Sequence, residues 1–107
     1  MNDLKLKLSP EVLRHISKMV NTPIYADLVY GGIIQSFLVD FGLAEVETIN
    51  ITDENKVTLD IYKRLSNFKM DKIKELIPIF ENFTEGSFED LRGKVEIKLQ
   101  ELKAANS

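Results

Sequence analysis

Residues 22–42, TPIYADLVYGGIIQSFLVDFG, contain only Asp27 and Asp40 as acids and no basic residue at all. Ile24, Tyr25, Leu28, Val29, Ile33, Phe37, Leu38 and Phe41 recur at threes and fours, while Ala26, Ile34 and Val39 fill much of the opposite side. A helix that is apolar all round belongs in an interior, so the rest of the chain must be arranged to cover it. Thr22 before Pro23 reads as an N-cap with proline in the first turn, where a missing N–H costs nothing. Gly42 stands where a left-handed residue closes a helix. The run therefore predicts a central helix covered from several directions.

The segment is about long enough to cross a bilayer. Two aspartates, Gln35 and the Gly31-Gly32 pair oppose insertion, a central aspartate alone costing about 3 kcal/mol. No basic cluster flanks the run, so no membrane partner is expected. Each glycine costs up to about 1 kcal/mol relative to alanine inside a helix. The pair thus implies close packing or a kink; the competing reading is a small apolar ligand at a broken helix, for which no polar cluster provides support.

Before this run, Leu4, Leu6 and Leu8 alternate with Lys5 and Lys7, the period of a strand with its lysines outward at a protected edge. Ser9 then caps a helix that has Pro10 in its first turn and Val12, Leu13, Ile16, Met19 and Val20 as its stripe. After Gly42 the pattern returns to period two. Ile49 and Ile51 alternate with Thr48, Asn50 and Thr52; Val57, Leu59 and Ile61 alternate with Thr58 and Asp60; DENK between them is a turn. The rival, a helix with Val57, Ile61, Leu65 and Phe68 on one face, wastes many β-branched residues.

Met70, Ile73, Leu76, Ile77 and Phe80 mark another helix, which Pro78 should kink or end. Ser87 and Asp90 stand at capping-box spacing, with Asp in place of Glu. They introduce a last helix whose apolar residues Phe88, Leu91, Val95, Leu99 and Leu102 form a narrow stripe among Arg92, Lys94, Glu96, Lys98, Glu101 and Lys103. The resulting order, β-α-α-β-β-α-α, predicts an α+β fold: a three-stranded antiparallel sheet packed on a buried central helix. At 107 residues the chain, 1–107, is one domain.

Chemistry is sparse. There is no cysteine, hence no thiolate nucleophile, disulfide or Cys-based metal site, which suits a reducing, cytoplasmic setting. The first residues lack the apolar core of a signal peptide. His15 is the only histidine and has no evident catalytic partner. Asp53, Glu54, Glu81, Glu85, Glu89 and Asp90 fall in turns and helix starts, without calcium-loop spacing. No glycine-rich phosphate loop or nucleophile elbow is present. These absences predict a protein that is not an enzyme and needs no cofactor.

Two surfaces are candidates for binding. The stripe Phe88, Leu91, Val95, Leu99 and Leu102 could join a second copy or another protein, giving a homo-oligomer or a recruited partner. Lys63, Arg64, Lys69, Lys72 and Lys74, with only Asp71 intervening, could face an anion or a phosphate backbone. A net charge of −3 argues against nucleic acid as the main partner. A helix before a hairpin invites comparison with winged-helix DNA readers. Here the helix in that place is the apolar one, with no arginine or lysine to reach bases. The sequence alone thus favours a small protein-interaction or accessory protein, with a nucleic-acid-binding regulator as the alternative.

Overall fold

The alternation of leucine and lysine at the start of the chain forms β1 (Asp3–Lys7), with Leu4 and Leu6 buried and Lys5 and Lys7 exposed. The structure, a computed structural model, describes residues 3–105. Ser9 caps α1 (Pro10–Val20) through Oγ, which accepts from the Val12 N–H at 3.3 Å. Asn21 closes the helix in the left-handed region, its N–H bonded to Ser17 O.

The proline corner resolves differently from the expectation. Thr22 caps nothing; its Oγ1 is directed back to Val20 O, and Pro23–Tyr25 form one 3-10 turn before α2 (Ala26–Asp40) begins. At the other end Gly42 is left-handed, as expected, with φ +67°. The Gly42 N–H bonds Val39 O and the Leu43 N–H reaches back to Leu38 O at 2.8 Å, so the last carbonyls of α2 are satisfied before the chain turns into the sheet.

β2 (Ala44–Ile51) and β3 (Lys56–Arg64) form the hairpin, and the helical alternative for this region does not occur. Both strands run further than the strict alternation suggests. Irregularities in register around Glu45, Val46 and Thr48 let Val46 and Ile49 lie on the same apolar face although they are three apart. The turn closes through the Asn55 N–H to Thr52 O, with Asn55 itself left-handed at φ 59°. β1 adds antiparallel to β3, giving the order β1-β3-β2. The predicted α+β fold with its three-stranded antiparallel sheet is thus present.

α3 (Met70–Ile73), a 3-10 turn (Lys74–Leu76) and α4 (Ile77–Glu81) make one irregular helical run. The irregularity lies just ahead of Pro78, whose ring crowds the carbonyl four residues back and which has no N–H to donate to it. Ser87 and Asp90 cap α5 (Phe88–Ala105) reciprocally: the Ser87 N–H donates to Asp90 Oδ2 at 2.9 Å and the Asp90 N–H to Ser87 Oγ at 3.1 Å. The Ser87 N–H, together with the Ser87 hydroxyl that donates to the same Oδ2 at 3.0 Å, holds the Asp90 carboxyl below the usual range.

One face of the sheet carries Leu4, Leu6, Val46, Val57, Leu59 and Ile61 into a single apolar core; α2 lies against β2 and β3, α4 against β1, and α1 packs on α2. Tyr30, on the inner side of α2, is fully buried between Phe80 and Phe83, and its hydroxyl donates to Phe80 O at 2.6 Å. Burial without a nearby cation disfavours the phenolate and drives its pKa far above the ordinary value.

Candidate interaction surface

Helical geometry places Tyr30, Ile34, Phe37 and Leu38 on one side of α2, and all four are buried. The same geometry turns Tyr25, Leu28, Gly32, Ser36 and Val39 to the other side. There Tyr25 is 61% exposed, and Leu28 and Val39 are each 45% exposed. Ile24, which like Tyr25 belongs to the 3-10 turn leading into α2, is 83% exposed. The expectation that this segment is covered from several directions is therefore corrected. A three-stranded sheet and the helices beside it cover one arc of α2, and a domain of this size has no further element to place over the rest.

The two glycines separate along this division. A Cβ on Gly31 would stand 2.9 Å from Ile49 Cγ2 and 3.3 Å from Val57 Cγ1, so this glycine lets the helix lie close on the sheet. A Cβ on Gly32 would meet nothing within 4 Å. Gly32 is a notch in the exposed ridge, between Leu28 on one turn and Ser36 on the next. No charged side chain stands on the ridge itself. Asp27 lies one turn before Gly31 on the sheet side, and Asp40 on the α5 side, where Arg92 holds it at 2.9 Å. Arg92 also covers the Phe41 ring, 4.7 Å from its centroid.

β2 borders the ridge. It runs antiparallel to α2, with Gln35 Nε2 donating to Val46 O and Gly31 facing Ile49. Continuing that direction brings Ile51, 37% exposed, alongside the first turn of α2. Ile24, Tyr25, Leu28, Val39 and Ile51 together present on the order of 500 Å² of surface, near the upper end of what a monomer usually displays in one patch. The other large exposed apolar residues lie elsewhere, Tyr62 on β3, Leu65 just after it and Ile97 on α5.

The surfaces expected from the sequence fare differently. On α5, Leu91, Val95, Leu99 and Leu102 are between 0% and 6% exposed and Phe88 packs against the same core. That stripe is turned into the chain's own core and only Phe88 keeps partial exposure, so its burial argues against the interface expected from the sequence. Lys63, Arg64 and Lys69 are exposed. Lys63 lies opposite Glu45 in the hairpin, and Lys69 precedes α3. Lys72 approaches Glu75 at 3.8 Å, and Lys98 approaches the same carboxylate at 3.9 Å, so acids are interleaved with this basic face. Those exposed pairs weaken its field.

His15 Nε2 donates to Gly86 O at 2.7 Å and the ring meets Phe83 edge-on, tying α1 to the loop before α5. Among the described residues no group of histidines and acids is arranged to hold a metal ion, and no helix is long and apolar enough to cross a membrane. Comparison with protein-family models, with curated proteins and with solved structures finds no match.

What distinguishes the ridge from ordinary surface is legible in hindsight. Gly32 and Ser36 are small, and they fall between Leu28 and Val39 at spacings of three and four. The signal was hidden because apolar residues ring the helix on every side, so the sequence marks no face as the outer one.

Proposed function

We propose that this chain is a protein-interaction module without catalytic activity of its own, and that its contact surface is the outer ridge of α2 with the adjoining end of β2. One observation carries the reading: a charge-free, largely apolar surface runs the length of a helix, whereas the other long helix buries its stripe Leu91, Val95, Leu99 and Leu102 and exposes a single large apolar residue, Ile97, among charges. Surface of that kind gains free energy when a partner removes it from water, about 25 cal/mol for each Å² of apolar area. The absence of cysteine fits work in a reducing compartment such as the cytoplasm.

The test is affinity capture from the native host with wild-type chain and with Leu28→Glu, which places a carboxylate in the middle of the ridge without touching the core. The reading expects proteins, further copies of this chain included, that the wild type retains and Leu28→Glu loses. Identical retention by both would remove it.

A further inference from the structure

The ridge has a shape as well as a polarity, and the shape suits itself. Its bulky residues, Tyr25 and Leu28, lie before Gly32; the smaller Ser36 and Val39 lie after it. We infer that the occupant of this surface is a second copy of the chain, with the two α2 helices crossing antiparallel about a two-fold axis at Gly32. This inference rests on the reading of the ridge as a contact surface and adds the identity of the partner.

Antiparallel pairing about Gly32 sets Leu28 of one copy opposite Ser36 of the other, and Tyr25 opposite Val39. Each large side chain thereby meets a small one, and each pair occurs twice, as an isologous interface requires. Parallel pairing would instead stack Tyr25 on Tyr25 and Leu28 on Leu28, splaying the helices and leaving a gap at Gly32. It would also align the two helix dipoles. The open space at Gly32 allows close approach at the crossing point. Charge does not oppose the pairing, because Asp27 and Asp40 flank the ridge on opposite sides and Asp40 is neutralised by Arg92.

Size is consistent as well. The apolar residues supply on the order of 500 Å² per copy, and the exposed parts of Thr22, Pro23 and Ser36 bring the total toward the roughly 800 Å² per partner of a standard specific interface. Both faces are identical, so no separate partner is needed to supply a complementary surface.

The experiment is sedimentation of the full chain at tens of micromolar, combined with disulfide trapping, which is clean because the chain has no cysteine of its own. Wild type should sediment at twice 12.3 kDa. Leu28→Glu should remain folded by circular dichroism and raise the dissociation constant about 30-fold or more, as loss of a central apolar anchor does. When Leu28→Cys and Ser36→Cys are mixed and mildly oxidised, the disulfide should join the two different variants. A wild-type chain of 12.3 kDa, or linkage of each variant mainly to itself, overturns the antiparallel dimer. A monomer whose heterologous partner is still lost in Leu28→Glu sinks the second copy alone. A monomer with no capture difference sinks the contact surface too.

Discussion

On α5 the apolar residues form a narrow stripe among charges, and Leu91, Val95, Leu99 and Leu102 are all covered. On α2 they surround the helix, and those left over after the core is filled face water as Leu28 and Val39, continued by Tyr25 in the turn that leads in. The helix that looks like a surface element in need of a partner has found one within its own chain. The helix that looks wholly interior keeps an open side. Periodicity reports how much of a helix wants cover; it does not report what supplies the cover, or whether the supply is sufficient.

The largest effect that can break this contrast comes from truncating one leucine on each helix. Leu99→Ala should cost roughly 2–5 kcal/mol in urea unfolding, because it opens a cavity in the core. Leu28→Ala at concentrations below self-association should cost less than about 1 kcal/mol, since much of the side chain is already wet and alanine is the better helix former. Equal costs would mean that α2 has no open side.

Across α2 itself, Tyr30 tests the inner face. Tyr30→Phe removes the bond to Phe80 O and should destabilise by about 1–3 kcal/mol. The pH dependence has a definite sign. The folded-state pKa is raised, so the stabilisation is complete below the unfolded value of about 10 and declines as pH climbs beyond it, by about 1.4 kcal/mol per pH unit. Alkaline unfolding curves of Tyr30→Phe should be shallower by up to that slope; curves parallel to wild type would place the phenol in water.

The adjacent glycines sharpen the contrast to a single residue step. Gly31→Ala forces a methyl against Ile49 and should lower stability by about 1–2 kcal/mol even after the gain in helix propensity. Gly32→Ala has room and should raise the stability of the monomer by up to about 1 kcal/mol. Thermal or urea unfolding of the two variants side by side decides it, and changes of the same sign in both would contradict the inner and outer assignment.

The smallest effect lies at the start of α5. The bonds from Ser87 lower the Asp90 carboxyl pKa, so the cap is intact above the unfolded value of about 3.9 and is lost as pH falls through the lower folded value. Amide exchange at Ser87, whose N–H donates to the Asp90 carboxylate, should quicken only below about pH 4, while the middle of α5 stays protected; exchange that is indifferent to acid would deny the reciprocal cap.

Local chemistry was readable wherever neighbours in sequence settle the outcome. Ser9, Gly42 and the Ser87–Asp90 pair cap as their spacing indicates, because a cap needs only residues within a turn of each other. The leucine–lysine alternation of β1 and the β-branched arms of the hairpin were equally plain. Thr22 was misread because a proline corner can continue into a 3-10 turn as readily as into an α-helix, and the Thr22 backbone, at φ −141° and ψ 78°, leaves its side chain facing away from the helix. The irregularity near Glu47 left no trace in the pattern, since the extra residue breaks the very alternation used to find strands. Of the ridge, the residues were visible but the direction they face was not.

The sequence by itself determined the elements, their order and most of their caps, and it determined that a nearly charge-free helix stands at the centre of the chain. These follow from propensity, periodicity and hydrogen bonds reaching no further than one turn. Only the tertiary structure decided that α5 is closed and α2 half open. That outcome depends on how much surface one three-stranded sheet and its neighbouring helices can cover, and the limit comes from the volume of the whole chain rather than from any stretch of it.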